Sequence, residues 1–214
     1  MRFTDFINKN NVPNVVLEFT KNRKVRAITK YHHSGDLVYD IDNMFILKIS
    51  TYSRRLLDEK IINDQLESTN LFSKSVIYVE SDKYCYYIKT KLKGTSLISK
   101  INNPKLLIKL LKEALELCHG INPALVNVRN QESIGDVFVH GDFCLPNILV
   151  YRKKVSGFID TSQSGLGDPW VDYAWCIWSF EYNLGTNEYT NDLLETLGIT
   201  FDEEKYNYYT NIDD

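Results

Sequence analysis

Residues 137–150 read VFVHGDFCLPNILV. Their two apolar arms, 137–139 and 148–150, have the composition of short buried strands. Between the arms stand His140, Asp142 and Asn147, three polar side chains whose burial is costly unless each finds a partner. A hairpin that only reverses the chain needs a short turn built on Gly or Asn. An ionisable pair, and an amide five positions after the aspartate, exceed that need. The turn therefore reads as a site.

Moving a phosphoryl group to a hydroxyl requires a carboxylate to take the hydroxyl proton and oxygen ligands for a metal that neutralises the phosphates. Protein kinases carry both on one loop, an aspartate with an asparagine five positions later and a histidine two before. Asp142, Asn147 and His140 have that spacing, giving Asp142 as base, Asn147 as metal ligand and His140 as support. A simple turn residue is the plainer alternative for Asn147. Downstream, in SGFIDTSQSGLGDPW (156–170), Asp160 closes a strand that a hairpin returns toward the same loop. A carboxylate there suits magnesium, which takes hard oxygens and one or two carboxylates beside substrate phosphates. An Asx-turn before Thr161 is the alternative.

Upstream, Lys48 interrupts the apolar strand FILKI. It reads as a phosphate-binding lysine held by a glutamate of the following helix, against a plain edge-strand lysine. Glu59 in LLDEKII is the preferred partner, and Asp58 beside it is the residue it could be confused with. The loop HHSGD (32–36) would lie over the phosphates and offer Ser34, although it lacks the three-glycine pattern.

The first ninety residues read mainly as strands. DLVYDI (36–41) and MFILKI (44–49) flank Asp42-Asn43 as a hairpin, RRLLDEKIINDQLES carries a helical stripe, and SVIYVE and YCYYIKTKL are strand-like. From Gly94 the pattern turns helical. Asn103-Pro104 starts a buried helix ending near Gly120, and WVDYAWCIWSF, NDLLETLGI and DEEKYNYYTNIDD read as further helices. The fold class is α+β: a strand-rich lobe over 1–92 that binds nucleotide, and a helical lobe over 93–214 that carries the catalytic and metal loops. A cleft between lobes is a natural ligand site. Trp170, Trp175 and Trp178 read as core, and His119 as a helix C-terminal cap.

The chain has 214 residues, 43% of them apolar, so a sizeable core can be buried. Residues 1–110 hold 19 Lys and Arg against 11 Asp and Glu, whereas residues 181–214 hold 1 against 9. That asymmetry suits an anionic ligand at one end and a cationic one at the other. Basic residues are dispersed and match no nucleic-acid module. No run is long enough to cross a bilayer, the start lacks a signal-peptide core, and the four cysteines are scattered. The expectation is a cytoplasmic monomer or weak dimer with reduced thiols.

VFVHGDFCLPNILV, KVSGFIDTSQSGLGDPWVDYAWCI and LLETLGITFDEEKYNYY together resemble the aminoglycoside phosphotransferase family, small-molecule kinases with a two-lobed protein-kinase-like fold. The resemblance runs from about Asp36 to the end. It implies that Asp142 is the catalytic base, that Asn147 and Asp160 hold magnesium, and that Lys48 with Glu59 orders the phosphates of ATP, with GTP open. Thr90 to Leu92 would be the hinge segment whose backbone pairs with adenine, and Asp172 would brace the catalytic loop. Asp213 and Asp214, in the acidic tail, would grip a cationic, hydroxyl-bearing substrate. The sequence departs from relatives in the short stretch from Gly120 to His140, where a helical insertion usually helps build the substrate pocket. That shortened region keeps a second acceptor class open, another small amino alcohol or sugar. A nucleotide-binding pseudokinase is the further alternative.

Overall fold

The structure, a computed structural model, describes residues 1–28, 36–51, 53–81 and 83–211. Ser34, Asp213 and Asp214 lie outside the described residues. The chain divides into two compact units, one of Met1–Glu67 with Ser73–Lys91 and the other of Ser68–Phe72 with Leu92–Asp214.

The first unit is built on a five-stranded antiparallel sheet. Its strands are β1 (Val25–Ala27), β2 (Leu37–Ile41), β3 (Phe45–Ser50), β4 (Ser75–Glu80) and β5 (Cys85–Thr90), in the order β1-β2-β3-β5-β4. The β2–β3 hairpin turns at Asp42 and Asn43, both with positive φ (55° and 58°), and Met44 N–H donates to Ile41 O at 3.0 Å. Asx residues tolerate that conformation, which is why this dipeptide makes the turn. Alternation sorts the sheet's side chains. On one face Tyr39, Ile41, Leu47, Ile49, Tyr86 and Ile88 pack on Phe3, Phe6 and Val16. Those three belong to two short helices missed by the strand-centred reading, α1 (Phe3–Ile7) and α2 (Asn14–Thr20). On the other face lies α3 (Ser53–Gln65), whose Leu56 packs with Cys85 and Tyr87.

The second unit is mainly helical. Helix α4 (Pro104–His119) starts where Asn103 Oδ1 accepts from Leu106 N–H at 3.1 Å, with proline in the first turn. Helices α5 (Trp170–Leu184), α6 (Thr190–Leu197) and α7 (Glu203–Thr210) follow. Two small sheets lie among them: β6 (Thr95–Ser96), β8 (Ile148–Tyr151) and β9 (Lys154–Phe158) form one, and β7 (Val137–Val139) pairs with β10 (Gly165–Gly167) in the other. The arms of the opening motif are therefore not partners. The hairpin is β8–β9, and the 140–147 loop crosses between sheets. Among the tryptophans, Trp178 is 37% exposed and stacks on Tyr182 rather than filling core. No helix among the described residues is long and apolar enough to cross a membrane.

Candidate active site

In the second unit the 140–147 loop is fixed by its own polar side chains. The His140 ring is fully buried. Its Nε2 lies 3.0 Å from Ile159 O, which can only accept, and its Nδ1 lies 3.3 Å from the Asp142 N–H, which can only donate. That geometry places a proton on Nε2 and leaves Nδ1 as acceptor, so both ring nitrogens are engaged in holding the loop. Asn147 sits beside Asp142: its Nδ2 donates to Asp142 Oδ2 at 2.8 Å and to Asp142 O at 3.0 Å. Because both partners are acceptors, the amide must present its NH2 to them. Its Oδ1 then faces another way, available to a cation.

Asp160 is tied to this loop through the residue before it. Ile159 N–H donates to Asn147 O at 3.0 Å and Ile159 O accepts from His140. Asp160 comes two residues after β9 ends and has φ 61°, a left-handed conformation that aspartate adopts at modest expense and that concentrates at functional sites. Asp142, Asn147 and Asp160 thus belong to one hydrogen-bonded frame. No cluster of three or more His, Cys, Asp or Glu among the described residues could hold a metal by itself. An amide oxygen and one carboxylate fit an ion that takes its remaining ligands from phosphates and water.

The frame is anchored from below by Asp172, which is fully buried in the first turn of α5. Its Oδ2 accepts from His140 N–H at 2.9 Å and its Oδ1 from Gly141 N–H at 2.9 Å. His119 Nε2 lies 3.0 Å from Oδ2, so His119 is a partner of Asp172 and not a helix cap. Gly120 itself caps α4 in a right-handed conformation. Gly141 has φ 82°, and a Cβ there would meet Gln163 O at 2.4 Å. Gly141→Ala is expected to destabilise the second unit by roughly 2 kcal/mol or more, measured as a lower urea midpoint. An unchanged midpoint would show that the loop can shift. Cys144, near Asp142, is no competing nucleophile: burial first, then the Asp142 charge, pushes its thiol up.

In the first unit, Lys48 is buried on the α3 side of the sheet and its Nζ donates to Glu59 Oε2 at 2.8 Å. This settles the ambiguity with Asp58, which instead meets Arg54. Sequence reasoning missed Lys89, whose Nζ bonds Glu59 Oε1. It interrupts the apolar run CYYIKT of β5 much as Lys48 interrupts β3, and that shared signal could have found it. In the Thr90–Leu92 segment, Thr90 N–H donates to Lys74 O and Lys91 N–H to Met44 O.

Residues 99–209 match the phosphotransferase enzyme family. The chain is 26% identical to a probable aminoglycoside 3'-phosphotransferase of Lactococcus lactis subsp. lactis (strain IL1403), over 72% of this chain and 78% of that one. It is 44% identical to an aminoglycoside 3'-phosphotransferase of Enterococcus faecalis over a shorter stretch, 36% of this chain and 30% of the relative. Among solved structures, aminoglycoside phosphotransferase APH(3'')-Id from Streptomyces rimosus ATCC10970, in complex with ADP and streptomycin, superposes with a TM-score of 0.75. Sequence identity there is 15%, over 98% of this chain and 97% of that one, so the likeness is one of fold.

Proposed function

Since the chain belongs to the phosphotransferase enzyme family, we propose that it transfers the γ-phosphate of ATP to a hydroxyl of an aminoglycoside. The observation that carries this reading is the Asp142–Asn147 pair, a carboxylate and an amide held together on one loop by the amide NH2, which leaves the amide oxygen out of both bonds. Asp142 takes the proton of the attacking hydroxyl as its oxygen bonds to the γ-phosphorus and ADP leaves. Asn147 Oδ1 and Asp160 would hold magnesium, which when bound neutralises charge on the phosphates. Lys48, braced by Glu59, binds the phosphates, and Thr90 O with Leu92 N–H meets the adenine. The reaction's need for ATP suits the cytoplasm. The aminoglycoside acceptor is supported by the named activities of the relatives and by a C-terminal region whose described acids include Glu188, Asp192, Glu195, Glu203 and Glu204 on exposed positions, a field that draws in polycations.

A second acceptor class, another small amino alcohol or sugar, is favoured by one observation. Between Gly120 and His140 the described chain forms a short 3-10 turn at Pro123–Leu125, the three-residue strand β7 and loops, with no α-helix, so that stretch offers little wall for a large substrate. Coupled ADP release with Mg-ATP and a panel of aminoglycosides, streptomycin included, tests the choice. Acceptor-dependent release with aminoglycosides is the expected result. Release with amino alcohols or sugars alone selects the second class, and none with any acceptor overturns the kinase reading.

A further inference from the structure

Glu59 is bonded by two lysines, and the reaction described above uses only one of them. Lys89 stands opposite Ile46 in the β3–β5 register and its side chain is 4% exposed. Its Nζ engages Glu59 Oε1 while Lys48 engages Oε2. The same face of β5 carries Cys85 and Tyr87, packed with Leu56 of α3, so an apolar residue at 89 would suit the packing. Burying an ammonium carries a large desolvation penalty, and replacing a whole buried ion pair or triad by well-packed apolar groups is often neutral or stabilising. One carboxylate needs only one lysine for neutrality. A second ammonium on the same carboxylate therefore invites a role besides packing.

We propose that Lys89 is a positioning residue of the nucleotide site, acting through Glu59 on Lys48; the inference rests on the reading of Lys48 as the phosphate-binding lysine. A glutamate carboxylate turns freely about its terminal torsion, which has broad minima. With Oε1 held by Lys89, the plane of the carboxylate is fixed and Oε2 gives Lys48 a single resting place. Lys89 is suited to the task because its own strand is paired on both sides, with β3 and β4. Its Nζ also sits 5.8 Å from the centre of the Tyr87 ring, and Tyr87 is held through its hydroxyl by Asn63 at 2.9 Å and Ser75 at 2.8 Å. A rigid relay thus runs from Asn63 and Ser75 through Tyr87, Lys89 and Glu59 to Lys48. It orders the phosphate-binding ammonium before nucleotide arrives, so less freedom is lost on binding, and it adds positive charge to the layer that meets a polyanion.

The test is calorimetric titration of Mg-ADP into purified wild type, Lys48→Met, Lys89→Met, Lys89→Gln and Lys89→Arg proteins, with thermal melting of each and steady-state kinetics on an active acceptor. Lys89→Met is expected to weaken Mg-ADP about tenfold and to raise KM for ATP more than it lowers kcat, with Lys89→Arg restoring affinity to within about threefold. If Lys89→Met binds like wild type while Lys48→Met binds weakly, Lys89 has no positioning role and the nucleotide reading stands. If Lys48→Met and Lys89→Met both bind like wild type, the nucleotide reading of Lys48 falls and this inference with it. A change in Tm with affinity unaltered also overturns it, since packing alone would explain that. Should Lys89→Met not fold, Lys89→Gln decides: it is too short to reach Oε1, and wild-type affinity in it overturns the proposal.

Discussion

Asp142→Asn is expected to lower turnover by roughly 10²–10⁴-fold while Mg-ADP binding and Tm stay close to those of the unsubstituted protein. The substitution keeps the shape of the side chain. An Asn oxygen can still accept from Asn147 Nδ2, which now meets Asp142 Oδ2 at 2.8 Å, and the Asp142 N–H still meets His140 Nδ1. What is lost is the ability to take a proton. The frame around the residue would remain: His140 is fixed by Ile159 O and Asp172, and Asn147 is 6% exposed and packed. Loss of activity without loss of binding therefore reports the base and not the fold. Single-turnover and steady-state rates with Mg-ATP and an active acceptor, beside calorimetric titration of Mg-ADP, separate these quantities. Equal turnover in the two proteins would remove Asp142 from the mechanism. A matched loss of nucleotide affinity would instead place it among the phosphate or metal contacts.

Much of this site was legible because its signals are local. The five-residue interval from Asp142 to Asn147 is set by one turn, so the sequence carries the geometry directly, and the structure shows the two side chains bonded. The Asp42-Asn43 turn was equally legible, since positive φ is a property of single residues. Pairing across long separations was not. The arms of VFVHGDFCLPNILV look like the two strands of a hairpin, yet β7 pairs with β10, with Val139 opposite Gly165, and β8 pairs with β6 and β9. Strand composition reports burial and is silent on partners. The helices α1 and α2 were missed because each is short, and isolated short helices have little propensity signal to read. Here their apolar side chains are held by the sheet face carrying Tyr39 and Leu47. His119 was read as a cap from its place beside Gly120. Only the fold shows that Asp172, 53 positions away, accepts from it. Lys89 was passed over because its partner Glu59 is 30 residues away.

Asp172→Ala should be the most damaging single change in the second unit, destabilising it by about 3–5 kcal/mol. Asp172 has no exposed surface, and both of its oxygens hold buried N–H groups of the 140–141 backbone. Truncation would leave two peptide donors and the His119 ring without this acceptor, and a buried donor left unpaired costs about 1–3 kcal/mol. The Cys118 thiol, 3.8 Å from Oδ2, would lose its contact too; burial first and then the Asp172 charge push that thiol well up, so it is protonated and can donate only weakly. Asp172→Asn should do less harm, about 2–3 kcal/mol, because one oxygen remains while an NH2 is turned toward donors. The protein supplies its own reporter. Its tryptophans, Trp170, Trp175 and Trp178, all lie on α5 with Asp172, so fluorescence-monitored urea unfolding reads the unit that Asp172 anchors. Activity should fall with stability, since the same two N–H bonds set the backbone from which Asp142 projects. An Asp172→Ala protein within about 1 kcal/mol of the parent would mean that β7–β10 pairing and the Ser164 hydroxyl on His140 O, at 2.8 Å, suffice to hold the loop.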